Sequence, residues 1–245
     1  MSRLNSISEI DILEYIHCPI QYSLYKNKVV PKKILTYKDL LQSITKLFLV
    51  KLMDGAVLDL SSIKKEWDKI CHKHSSIMDN NKVVDGLSKL ILMYKWAENI
   101  KLRILDLGFP FCFFIRNRQE ENVAVTGNIP TIALNKSNVP ELLIIDYSNR
   151  HIEQSRLDID LKYTLYCLAY KRKTGQDLGI HLHNVHYNSD RYSYRNKYDY
   201  QRLVKIIQNV CYSIDENIYY PKESVMCASC PTAGACKLWS YDTQR

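Results

Sequence analysis

The chain has 245 residues with 46% hydrophobic content, enough for a substantial core in one domain or a closely packed pair. Lys and Arg number 34 against 26 Asp and Glu, a formal net charge of +8 that suits a nucleic-acid partner without requiring one. No run approaches the length of an apolar membrane span, and Met1 to Ile16 lacks a secretory pattern, which argues against a membrane or secreted protein and for a reducing, cytoplasmic setting.

In such a compartment the eight cysteines read as metal ligands or buried thiols rather than disulfides. The chain is poor in Gly and rich in Tyr, Lys, Ile and Asn, a usage that fits an AT-rich genome such as that of a phage or virus, where the setting is the host cytoplasm.

Taken in chain order, Ser8 with Asp11 forms a capping-box pattern ahead of Ile10, Leu13 and Ile16, so a short helix is expected to run into Cys18. Thr36 reads as the N-cap of a second helix that carries Leu40, Leu41, Ile44, Leu47, Phe48 and Leu52 and stops at Gly55. A third helix is expected from Ser62 through Trp67 and Ile70, and a fourth from Lys82 to Leu107, ending at Gly108. Then the period changes. Phe109–Ile115, Asn122–Gly127, Thr131–Leu134 and Leu142–Asp146 read as strands of one sheet, Leu157–Arg172 as a helix, Gly179–Tyr187 as a strand and Tyr198–Asn217 as a long helix. The order implies an α/β fold around a mixed sheet. It is expected as a single domain over 1–245, with a mainly helical part at 1–108, an α/β core at 109–220 and a cysteine-rich closure at 221–245.

Cys227-x2-Cys230-x5-Cys236 is the strongest local signal. Three thiolates so spaced can turn toward one metal, a closed site needs a fourth, and Cys18, set before Pro19 at a helix end, is the best candidate. Spacing alone leaves zinc and an iron–sulfur cluster both open. Cys71, Cys112, Cys167 and Cys211 fall in apolar periodic segments and read as small core residues.

The run His17-Cys18-Pro19-Ile20-Gln21-Tyr22, with three cysteines at the far end, resembles the iron–sulfur nucleases of the PD-(D/E)XK superfamily. That group includes the nuclease of CRISPR adaptation and the AddB-type subunit of a helicase–nuclease, with their RecB-type nuclease domain. The resemblance spans Cys18 to Cys236. It implies a restriction-endonuclease-like mixed sheet flanked by helices, and a [4Fe–4S] cluster on Cys18, Cys227, Cys230 and Cys236 that joins the two ends.

The same resemblance implies a divalent-metal site, because family nucleases hold the metal between carboxylates on adjacent strands with a lysine beside the attacking water. Here the chain departs. The Gly-x-x-Asp position reads Gly127-Asn128-Ile129-Pro130, Asp/Glu-x-Lys reads Asp146-Tyr147-Ser148, and Gln-x-x-x-Tyr reads Lys162 to Tyr166. The stretch Asp39 to Gly55 supplies no histidine. Asp146, Lys162 and Tyr166 are therefore remnants of a site, and one carboxylate is a poor holder of Mg²⁺. A catalytically inactive nuclease fold is the main expectation, acting as a nucleic-acid-binding or complex-forming subunit. The alternatives are a Mg- or Mn-dependent DNA exonuclease with a migrated Lys162, helped by Glu141 or Asn128, and a purely protein-binding scaffold or regulator.

The expected partners are DNA or RNA, a protein complex, or both, with no membrane. Candidate phosphate contacts lie in Lys26, Lys28, Lys32 and Lys33, in Lys171, Arg172 and Lys173, and in Arg191, Tyr192, Tyr194, Arg195 and Lys197, where basic and aromatic residues interleave.

Overall fold

Local rules set most helix ends in the computed structural model, which describes residues 4–29, 35–55 and 59–236. Ser8 and Asp11 form the expected capping box at the start of α1 (Glu9–His17), with α2 (Pro19–Lys26) following directly after Cys18. A second box, Thr36 with Asp39, opens α3 (Tyr37–Met53), and Gly55 follows at φ +71°. α4 (Leu60–Lys73) starts earlier than the sequence suggests because Asp59, not Ser62, is the cap, accepting from the Ser62 backbone N–H.

α5 (Asn80–Asn99) stops well short of Leu107. Lys101 takes a left-handed φ of 53°, the Leu102 N–H donates to the Ala97 carbonyl and the Lys101 N–H to the Glu98 carbonyl. That is a Schellman closure with lysine where glycine is usual, and it frees Arg103–Leu107 to open β2 (Arg103–Arg116).

Asn122–Gly127 and Thr131–Leu134 are not two strands but one, β3 (Asn122–Leu134), followed by β4 (Pro140–Asp146). The expected helix over Leu157–Arg172 is split into α6 (Gln154–Ile159) and α7 (Leu161–Thr174) by Asp160, which ends the first and caps the second. β5 (Gly179–Asn184), β6 (Ser189–Ser193) and α8 (Lys197–Asp215) complete the described elements, with β1 (Ser6–Ser8) at the start. β1 and β6 escape the sequence reading because one is three residues long and the other is mostly polar.

The fold is a mixed six-stranded sheet flanked by helices, in the order β1-β3-β4-β5-β6, with β2 also paired to β3. β1 runs parallel to β3, β3 antiparallel to β4, β4 parallel to β5, and β5 antiparallel to β6. Two compact units interleave along the chain: residues 1–33, 110–128 and 197–245 form one, and residues 34–109 and 129–196 the other.

In the first unit α1 contacts α2, α8 and β1, and Ile12, Tyr15, Tyr22, Val123, Leu203 and Ile207 are buried. In the second unit one face of the sheet packs Leu143 and Ala133 against Leu41, Phe48, Trp67, Leu90 and Met93 of α3 to α5. The opposite face carries Leu142 and Ile180, and α7 lies against β4.

Register divides the polar residues of that second unit. Glu141 pairs with Gly179, His181 with Tyr192 and His183 with Asp190, so all of these share the α5 face. Asp146 pairs with Asn184 on the opposite face.

Candidate functional site

Asp146 ends β4 and is 5% exposed. A buried carboxylate must be paired or hydrogen-bonded, and this one is both. One oxygen accepts from the Ser148 backbone N–H at 3.2 Å; the other accepts from the Ser148 hydroxyl and, at 2.8 Å, from Asn184 Nδ2. Asn184 is fixed in turn by donating to the Ser148 carbonyl and accepting from the Tyr187 N–H. Lys38 Nζ, from the first turn of α3, stands 3.8 Å from Asp146 Oδ1.

Between Asp146 and Ser148 lies Tyr147, whose side chain points to the other face and whose hydroxyl pairs with Thr45. Burial pushes the Tyr147 phenol well above its usual range. Tyr163 of α7 is likewise raised, first by burial and then by the charges of Asp160 and Asp146.

The remnants nominated by sequence divide. Asp146 is at the centre of the arrangement. Lys162 is exposed, forms no ion pair with Asp146, and rests its ammonium 5.9 Å from the Tyr166 ring; Tyr166 is buried in α7. The cation at Asp146 is therefore Lys38, a correction to the migrated-Lys162 expectation. Its one sequence signal is a lysine in the first turn of a helix, where the dipole disfavours a cation. Glu141 lies on the opposite sheet face, too poorly placed to assist Asp146, because the pleat separates them. Pro130 is exposed on β3, and Asn128 donates its backbone N–H to Glu9 Oε2 at 2.9 Å.

Among the candidate phosphate contacts, Arg195 is corrected outright. It is 7% exposed and donates to Thr164 Oγ1, Ser193 Oγ and the Leu157 carbonyl, so its guanidinium holds β6 to α6 and α7. Lys171 pairs with Asp177 at 2.7 Å, and Lys173 sits 4.3 Å over the Phe109 ring. Arg172, Tyr192, Tyr194 and Lys197 are exposed, and Arg191 is partly so. Lys26 and Lys28 are exposed, whereas Lys32 and Lys33 lie outside the described residues.

Cys18, Cys227, Cys230 and Cys236 are all free and partly exposed. Cys227, Cys230, Ala233 and Cys236 are linked by successive i→i−3 backbone bonds, at 3.2, 3.1 and 3.1 Å. Gln21, one turn past Cys18, places Nε2 3.8 Å from Cys230 Sγ. Thiols are the right donors for zinc or an iron–sulfur cluster, although among the described residues no three His, Cys, Asp or Glu are gathered tightly enough to hold a metal ion. Of the remaining cysteines, Cys71, Cys167 and Cys211 are buried as expected; burial pushes the Cys167 and Cys211 thiols up to about 12. Cys112 is exposed on the outward side of β2, which corrects its assignment to the core.

No protein-family model matches the sequence, and no curated protein matches it. Among solved structures, the chain is similar to a protein of Eubacterium rectale that carries an exonuclease assignment, with a TM-score of 0.55 at 8% identity over 97% of this chain and 88% of that one. A second solved protein, SSO0001, gives a TM-score of 0.49 at 10% identity over 97% of this chain and 88% of that one. At such identity the first likeness is one of fold, and it is consistent with a nuclease-like fold for this chain. No described helix is long and apolar enough to cross a membrane.

Proposed function

We propose that this chain is a nuclease-fold protein that has lost phosphodiester hydrolysis at Asp146 and works as a nucleic-acid-binding subunit. The observation that carries the first part is the engagement of both Asp146 oxygens by Ser148 and Asn184, with the Lys38 ammonium 3.8 Å away. Magnesium needs several oxygen ligands in near-octahedral geometry. A metal at Asp146 would have to displace a hydroxyl and an amide that already satisfy the carboxylate, next to a cation that neutralises it. Support for the second part is the excess of basic residues, the exposed Arg172, and exposed tyrosines beside Arg191. Backbone charge pairing with base stacking is the chemistry such residues offer.

Two measurements test this reading. The purified full chain is incubated with Mg²⁺ or Mn²⁺ and single-stranded DNA or RNA, and no cleavage is expected. Cleavage that disappears in both Asp146→Ala and Lys38→Ala would overturn the loss of chemistry. Binding of the same strands is expected to weaken steeply as salt rises; no binding at low salt would remove the nucleic-acid role.

The same reading takes Cys18, Cys227, Cys230 and Cys236 as ligands of a [4Fe–4S] cluster, with zinc as the competing occupant. Bound, the cluster supplies a closed thiolate link between the ends of the chain. Gln21 and the i→i−3 turns are what this chain contributes to holding the thiols in place.

A further inference from the structure

We infer that the stacked rings of His151 and Tyr187, beyond the carboxyl ends of β4 and β5, form a platform for one unpaired base of a single-stranded nucleic acid. This rests on the nucleic-acid reading above and gives that reading a place in the fold.

β4 and β5 run parallel and end together, Asp146 opposite Asn184. In open α/β sheets the crevice outside the carboxyl ends of such strands is where ligands lie. The loop after β4 carries Arg150 and His151, and the turn after β5 carries His186 and Tyr187. His151 and Tyr187 lie face to face, their ring centroids 3.8 Å apart and their planes 14° from parallel. His186 stands across Tyr187 at 4.7 Å and 89°.

The backbone under these rings is tied down. Asn184 Nδ2 donates to Asp146 Oδ2 at 2.8 Å and to the Ser148 carbonyl at 3.1 Å, while Asn184 Oδ1 accepts from the Tyr187 N–H at 2.9 Å. The Tyr187 hydroxyl donates to the Asn149 carbonyl at 2.9 Å. One side chain at the end of β5 and one phenol thus join the loop to the turn. Asp146 belongs to this support, because the amide that engages it also aligns Tyr187. A surface ordered before its ligand arrives loses less entropy on binding.

Face-to-face stacking uses one face of each ring. His151 is exposed and Tyr187 is 40% exposed, so ring surface remains on the solvent side. Every base has a π-face, which makes stacking on an aromatic side chain tolerant of sequence. Bases within a duplex already stack on their own neighbours, so the platform suits an unpaired one.

The charges nearby suit a phosphate backbone. The exposed Lys38 ammonium stands 3.8 Å from Asp146 Oδ1, and exposed Arg150 immediately precedes His151. Asp85, an acid whose pKa the charge of His186 helps to lower, is compensated by Lys89 at 2.8 Å and by the Tyr37 hydroxyl at 2.8 Å. Cations beside a stacking ring match the phosphates and bases of a strand.

The test is fluorescence anisotropy of labelled strands titrated with the full chain at low salt. Oligo(dT) is compared with an abasic strand of the same length, which keeps the phosphates and lacks the rings. His151→Ala is expected to weaken oligo(dT) binding about ten-fold and to leave the abasic strand unchanged. His151→Phe, which keeps a flat ring and carries no charge, should restore the lost affinity. Lys38→Ala should weaken both strands and make the log–log salt dependence shallower by about 0.7.

A His151→Ala loss equal for the two strands, or one that His151→Phe does not repair, overturns the platform. If both strands bind with steep salt dependence and the His151 variants change nothing, the platform falls while the nucleic-acid reading stands. If neither strand binds at low salt, both fall.

Discussion

Asp146 and Asp190 show how differently two carboxylates of one sheet can be held. Asp146 receives neutral donors and an ammonium at 3.8 Å. Asp190 is opposed by burial, which raises its pKa, but the hydrogen bonds and charges of His181 and His183 outweigh this and hold it well below the usual carboxylate range. A carboxylate depressed on folding contributes stability that is present above its unfolded value, near 4, and lost as pH falls through the folded value. The melting temperature should therefore drop on acidification below about pH 4. Asp190→Asn should flatten that part of the profile, because the variant has no carboxyl to protonate. A variant that keeps the full acid slope would show that the two histidines do not depress Asp190.

Elements were legible where a single residue dictates a backbone state. Ser8, Thr36 and Gly55 marked helix ends that the structure keeps. The end of α5 was not legible, since apolar residues run on through Leu107 and the stop depends on Lys101 accepting a left-handed conformation. α5 also carries Gly86, beneath the fully buried Trp67 of α4, whose indole N–H donates to the Val83 carbonyl at 2.9 Å. A Cβ on Gly86 would overlap the Trp67 ring. Alanine gains about 1 kcal/mol of helix propensity over glycine, but overpacking a rigid indole costs about 1–3 kcal/mol. Gly86→Ala is expected to lower stability in denaturant unfolding. A stabilised variant would mean that α4 and α5 can part without penalty.

At the scale of the whole chain, the two ends of the sequence meet within one unit. The Leu4 N–H donates to Asp215, the Tyr15 hydroxyl to the Ile218 carbonyl, and Lys222 Nζ to the Ile16 carbonyl. A cluster spanning Cys18 and Cys227 would lock that closure. By analogy with a disulfide closing so long a loop, such a link would stabilise by about 4–5 kcal/mol before metal–ligand terms. Anaerobically purified protein is expected to be brown, with iron and inorganic sulfide in equal amounts. Cys18→Ala should bleach it and expose both ends together to limited proteolysis. Stoichiometric zinc without iron or sulfide would assign the site to zinc instead.

By itself the sequence determined the α/β order, the capped helix starts and Asp146 as the acid that ends its strand, because spacing, capping residues and a strand-ending acid are local properties. It also set four cysteines at spacings that suit one metal. Only the tertiary structure decided what surrounds each of them. Lys38 reaches Asp146 across more than a hundred residues of chain, and Arg195, basic and flanked by tyrosines, turns inward to Thr164. Glu141, His181, Tyr192 and Asp190 come together through strand register, which places alternate residues of three strands on one face. Partners set by register and packing have no fixed spacing along the chain, so no local pattern could announce them.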